Sequence, residues 1–159
     1  MNDNIIPSPQ QSQSRVPQPQ FEFRHRVPLQ LRFNDIDMLG HLNNSVYVSF
    51  MDLGKAAYFK TVMPTDIDWK HINVVVVNIN CDFFAPSYFN ERLEVLTAVV
   101  GVSERSFKME QRIINSDTGE VKCIGHTIMV GFDVATASSA PISQSWIEAL
   151  SAFEQRPLK

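Results

Sequence analysis

Two carboxylates, an imidazole and two adjacent asparagines fall in one short run, Asp35-Ile36-Asp37-Met38-Leu39-Gly40-His41-Leu42-Asn43-Asn44-Ser45-Val46-Tyr47. The run joins a segment of alternating pattern to one of helical pattern, so it reads as a strand–loop–helix junction. There a loop carboxylate can face the free amides of a helix's first turn, which together with the helix dipole favour negative charge. Such a carboxylate can attack a carbonyl or activate water, while the amides stabilise the oxygen that becomes an oxyanion. A plainer role is open to both aspartates, because Asx side chains bond nearby amides in loops. His41 beside two aspartates, with no second histidine at helical spacing, is a poor zinc pattern. It reads as a pocket or capping residue, and no metal is expected.

The elements that must position these residues are legible from periodicity. Val27, Leu29, Leu31 and Phe33 alternate with Gln30 and Arg32, which predicts a half-buried strand over Arg24–Phe33. The turn formers Asn34 to Gly40 end it. A helix of about Asn44–Val62 follows, capped by Asn43 or Asn44. Its apolar stripe is Val46, Phe50, Leu53 and Ala57, flanked by Tyr47 and Tyr58. Gly54 inside it is explained either by close packing or by tolerated weakness. Pro64 lies beyond the helix end, and Thr65 to His71 form a polar connector. Strands are then predicted over Ile72–Phe84, Arg92–Val102, Arg105–Asn115 and Val121–Asp133, with a hairpin turn at Asp117-Thr118-Gly119. The start of the first of these is too apolar to have one face in water. A short closing helix carries Trp146, Leu150 and Phe153 on one face, with Ser143 as its cap. Strand, long helix, then four strands is an α+β order: an antiparallel sheet covered on one face by the helix. The other face stays partly apolar and invites pairing with a second copy.

A chain of 159 residues, 44% apolar and 19% charged, suits one globular domain. The first twenty residues hold five Gln and four Pro, a composition that cannot offset its ordering entropy. They are expected to be a flexible tail (residues 1–20) ahead of a domain at 21–156. A net charge of −3 gives no basic excess for nucleic acid. No apolar stretch approaches the ~20 residues that span a bilayer, so no membrane partner is expected. The polar N-terminus lacks a secretory h-region, and a cytoplasmic location is expected. Cys81 and Cys123 sit in apolar strand-like runs and read as core residues.

The run from Asp35 to Tyr47 resembles the first motif of the hotdog-fold acyl-CoA thioesterases around 4-hydroxybenzoyl-CoA thioesterase, in its form Asp-x-Asp-x-x-Gly-His-x-Asn-Asn-x-x-Tyr. The likeness continues through Phe50-Met51-Asp52, Asp82-Phe83-Phe84-Ala85-Pro86 and Arg105-Ser106-Phe107, covering about Phe21 to Asp133. It implies a hotdog fold that dimerises through the sheet, as a homodimer or homotetramer with substrate at the interface. It makes Asp37 the catalytic nucleophile or general base, with the backbone N–H near Asn44 polarising the thioester carbonyl. His41, Asn43 and Tyr47 would shape the acyl pocket. The phosphates of CoA call for cations, for which Arg105, with Ser106 as a donor, is a candidate; a solvated strand face is the alternative. Lys108 is a further cation, but strand alternation keeps Arg105 and Lys108 off one face. Asp35 is expected to be structural and Asp52 a solvated or supporting carboxylate. Val76, Phe83, Phe84, Phe50 and Tyr47 could line an apolar cavity or form core. No cofactor is expected, the CoA or acyl-carrier thioester being the substrate. Two other functions stay open: a hotdog hydratase or dehydratase, which would leave the thioester intact, and a non-catalytic acyl-CoA-binding module.

Overall fold

In the computed structural model, residues 13–63 and 73–159 are described. In chain order the elements are β1 (His25–Leu29), a 3-10 turn (Phe33–Asp35), α1 (Asn44–Val62), β2 (Val74–Phe83), β3 (Leu93–Val102), β4 (Ser106–Asn115), β5 (Val121–Asp133), β6 (Ser138–Ser139) and α2 (Gln144–Glu154). Pro64, the expected connector from Thr65 to His71, Ile72 and residues 1–12 of the expected tail lie outside the described residues. The strands pair antiparallel in the order β1-β3-β4-β5-β2, with β6 added to β5. This sheet with one long helix against it is the α+β hotdog arrangement expected.

Helix α1 runs along the sheet between two core clusters. Near its start, Tyr47, Phe50 and Met51 pack on Val95, Ile113 and Cys123, which lie abreast on β3, β4 and β5. Near its end, Tyr58, Phe59 and Val62 pack on Val99, Phe107, Met109 and Met129, and Leu150 of α2 closes this half. Between the clusters the helix comes very close to the sheet. A Cβ on Gly54 would lie 2.8 Å from Gln111 Nε2 and 3.0 Å from Thr97 Oγ1, and one on Gly125 would run into the sulfur of Met51. Gln111 Nε2 donates to the Met51 carbonyl at 2.8 Å and to Thr97 Oγ1 at 3.0 Å, tying helix to sheet at this point. Close packing is therefore the reason for Gly54.

Three expectations about burial need correction. The buried line of α1 runs through Tyr47, Met51, Gly54 and Tyr58, and Leu53 is 57% exposed. The closest approach falls on the glycine, which turns the expected stripe outward by one position. The first strand stops at Leu29, and Phe33 is 84% exposed. Asp35 Oδ2 accepts the N–H of Arg32 at 2.7 Å and bends the chain into the 3-10 turn. Finally, β2 pairs only with β5, and Val75, Val76, Val77 and Ile79 are all exposed. A Val-rich run reads as doubly buried from its composition, yet here it is a sheet margin.

Both chain ends cover parts of the sheet. Gln13 Nε2 donates to the Val121 carbonyl and Gln13 Oε1 accepts the Val121 N–H, each at 2.9 Å. Val16 is buried, and Phe23 lies under the Arg112 guanidinium at 5.6 Å. The described part of the expected tail is thus laid against the domain. Its glutamine bonds backbone as a strand neighbour would, which composition does not reveal. At the other end, α2 is capped by Ser143 as expected. Beyond Thr97, the last β3 residue paired with β1, Glu154 Oε1 accepts the Val99 N–H at 2.9 Å, and the Leu158 carbonyl accepts from Val102 N–H at 2.7 Å. Leu158 is buried, so packed chain continues past residue 156. The free thiols Cys81 and Cys123 sit half-buried and buried, and burial pushes both thiols up in pKa.

Gly-to-Ala inside a helix ordinarily stabilises by about 1 kcal/mol. Gly54→Ala will instead destabilise by about 1–3 kcal/mol through overpacking against Gln111 and Thr97, read as a lower midpoint in urea unfolding.

Candidate active site

Ile36 and Leu42 form an isolated antiparallel bridge. It is flanked by bonds from Asp37 N–H to the His41 carbonyl and from Asn43 N–H to the Asp35 carbonyl, both 2.8 Å. The chain reverses between them in a turn closed by Gly40 N–H on the Asp37 carbonyl at 3.0 Å. Gly40 has φ 79°, a left-handed conformation open to glycine at little cost. Within this turn Asp37 Oδ1 accepts the N–H of Leu39 at 2.8 Å and of His41 at 3.2 Å. One carboxylate oxygen is therefore fixed by backbone, and Oδ2 has no partner among the described residues. Asp37 is half-buried, between the exposed Met38 and Leu39 and the buried Leu42.

The helix starts seven residues on. Asn43 is its N-cap: Oδ1 accepts the Ser45 N–H at 3.0 Å and the Ser45 hydroxyl at 2.9 Å. The Val46 N–H bonds the Asn43 carbonyl at 2.9 Å. The Asn44 N–H has no acceptor among the described residues, and Asn44 is exposed. A free amide at the positive end of a nineteen-residue helix is a ready place for a developing negative oxygen.

A second loop, Phe84 to Glu91, lies over this junction. The Ser87 carbonyl accepts the Leu42 N–H at 2.8 Å, and Ser87 Oγ accepts from the Tyr47 hydroxyl at 2.8 Å. The Tyr88 ring meets His41 edge-on at 5.3 Å. Tyr47 itself is only 2% exposed, and burial raises its phenol pKa. It supports the loop from below, with Phe83 edge-on to it at 5.2 Å, so the bare margin of β2 ends beside the start of α1. Burial alone would raise the Glu91 carboxyl pKa, but hydrogen bonds from Lys122, the Tyr88 N–H and Asn115 outweigh it and hold the carboxyl below its ordinary value. Ser87, Tyr88, Glu91 and Lys122 escaped the sequence reading. The available signal was Lys122 itself, a charge inside the apolar run Val121 to Ile124, where a lysine must have partners.

Asp37, His41, Asn43, Asn44 and Tyr47 are thus brought together, and Arg105 and Ser106 are not. Arg105 is exposed at the start of β4 and donates to the Ser139 carbonyl at 3.0 Å and Ser139 Oγ at 3.1 Å. Ser106 shares a hydrogen bond with Ser103 at 2.7 Å. Leu42 packs with Ile113 and Leu93 at the other end of the strands, a strand length of roughly 30 Å away. Asp35 holds the 3-10 turn. Asp52 is exposed and paired with Lys55 at 2.7 Å. Among the described residues no three His, Cys, Asp or Glu side chains cluster as a metal site would require.

The model of the thioesterase-like superfamily matches residues 31–150. The chain belongs to this family. A thioesterase from Thermus thermophilus, solved with coenzyme A and zinc, is 31% identical over 84% of this chain and 96% of its own, with a TM-score of 0.75. Two further structures share the fold. A predicted thioesterase from Bacillus stearothermophilus is 21% identical, with a TM-score of 0.74 and 83% and 97% of the two chains covered. A 1,4-dihydroxy-2-naphthoyl-CoA thioesterase from Synechocystis is 18% identical, with a TM-score of 0.72 and 83% and 98% covered. No curated protein matches the sequence significantly.

The geometry separates capping from substrate contact at Asn43. Asn43→Ala will lower stability by about 1 kcal/mol, whereas Asn43→Asp, which keeps the acceptor, will stay near wild type. Thermal unfolding of both variants checks this.

Proposed function

We propose that this thioester hydrolase releases CoA from an acyl-CoA, with Asp37 as the reacting carboxylate and the Asn44 amide as oxyanion donor. One observation carries the reading: an unpaired carboxylate oxygen and an unpaired helix-start amide sit on one rigid turn-and-helix unit. With the thioester oxygen on the Asn44 N–H, Asp37 either attacks the carbonyl carbon or takes a proton from an attacking water. The first route expels the CoA thiolate and leaves an acyl anhydride for water to cleave; the second expels it from a tetrahedral intermediate. Either way water is the only co-reactant. The coenzyme A bound to the Thermus thioesterase supports CoA as the carrier.

The same reading pairs two copies along β2. Its ten residues have an unpaired margin and exposed valines, the kind of edge that templates strand addition. Two-fold pairing makes β2 antiparallel to the partner's β2, so Phe83 of one copy lies near the partner's Val74. Gly131, abreast of Val74, bonds the Arg105 carbonyl. The partner's Arg105 then comes to the Asp37 end of the sheet, three strand spacings or about 14 Å to the side of this chain's β2. This supplies the cation for a CoA phosphate that a single chain keeps distant.

Asp37→Asn retains Oδ1 as acceptor for the turn amides while removing the charge. CoA release, followed by thiol detection over an acyl-CoA panel, will fall about 10²- to 10⁴-fold without loss of thermal stability. Wild-type turnover in this variant overturns the assignment. Ile79→Lys, placed on the bare margin, will convert dimer to monomer in light scattering.

A further inference from the structure

Lys122 is a buried charge that the thioesterase reading does not use. It is 2% exposed, and a buried ammonium needs an acceptor for each of its three protons. All three are present: Glu91 Oε1 at 2.7 Å, Glu120 Oε2 at 2.5 Å and the Pro86 carbonyl at 3.0 Å. The Lys122 backbone is engaged too, its carbonyl accepting the N–H of Phe84 at 2.9 Å and of Ala85 at 3.4 Å. The ladder between β4 and β5 steps from Ile113↔Cys123 to Ile114↔Val121. Lys122 is thus the extra residue of a bulge, a device that re-aims a side chain. Glu91 completes the grip: Oε1 also accepts from Asn115 Nδ2 at 3.1 Å, and Oε2 accepts the Tyr88 N–H at 2.8 Å.

One residue therefore holds the loop from Phe84 to Glu91 at both ends. Between those ends lie the atoms that touch the site: the Ser87 carbonyl on Leu42 N–H, Ser87 Oγ on Tyr47, and the Tyr88 ring on His41. Leu42 and His41 in turn close the bridge and turn that hold Asp37. We propose that Lys122 is a positioning residue, which through Glu91 and the Pro86 carbonyl clamps the Ser87–Tyr88 loop onto the Asp37 turn and so sets the place of the reacting carboxylate. The proposal rests on the thioesterase reading for its catalytic arm only.

The test compares Lys122→Met and Glu91→Gln with wild type by hydrogen exchange and by steady-state kinetics. Loss of the clamp will speed exchange of the Leu42 amide, bonded to Ser87, roughly tenfold or more relative to Met109 in the far half of the core. The kcat for CoA release will fall roughly 10- to 100-fold, the scale of a small misplacement, with KM changed by less than about threefold. If Leu42 and Met109 exchange change together, Lys122 is merely structural and the proposal fails. It fails equally if Leu42 protection is unchanged, or is lost without a fall in kcat. Should Lys122→Met not fold, Glu91→Gln, which keeps a neutral acceptor for Lys122, carries the same comparison. A wild-type protein that releases no CoA overturns the thioesterase reading instead, and the exchange ratio still reports whether the clamp exists.

Discussion

Helix α1 can rest on the sheet only where two side chains are missing. Gly54 on the helix and Gly125 on β5 let Gln111, Thr97 and Met51 fill the gap between the layers, and any Cβ there would displace them. Gln111 then bridges to a helix carbonyl, so the contact fixes the helix lengthwise as well as in height. Because a helix is stiff along its axis, anchoring its middle also fixes where its first turn emerges. The position of the Asn44 amide relative to β5 and the end of β2 follows from this seat. Tyr47, one turn in, is held beneath Ser87 by the same constraint.

The proposed catalytic unit built on this seat is made largely of backbone. Asp37 is restrained by amides of its own turn, and that turn is closed by a bridge whose next hydrogen bond goes to a second loop. A carboxylate held this way loses little freedom when a substrate arrives, which is the value of preorganisation. One oxygen is committed to structure and the other has no partner among the described residues.

The parts legible in the sequence were those decided by neighbours in the chain. The junction from Asp35 to Tyr47, the Asn43 cap and the turn at Gly119 depend on residues within a few positions, and spacing exposes them. The extent of α1 was readable for the same reason. Its buried face was not, since Leu53 and Tyr58 are both apolar and only the seat at Gly54 decides between them. Phe33 read as strand because alternation ignores the side-chain bond from Asp35 that ends the strand. The valines of β2 read as buried, while nothing local told that the strand is a margin where they are exposed. Lys122 draws its acceptors from Pro86, Glu91 and Glu120, and two of these lie more than a strand away in sequence. Arg105 was grouped with the site by motif, but fold topology carries it to the opposite end of the sheet.

The coverings at the two chain ends have a consequence for how this sheet meets its surroundings. The part of the β3 margin that β1 leaves bare is taken by Glu154, Arg156 and Leu158, with Arg156 donating to the Val99 carbonyl at 2.5 Å. The end of β5 at Val121 is taken by Gln13. Sheet margins left open are nucleation points for uncontrolled strand addition. With these two covered, the long margin of β2 and the outer edge of the short β1 stay unpaired among the described strands. The same few terminal residues thereby limit where strand addition to this sheet can begin.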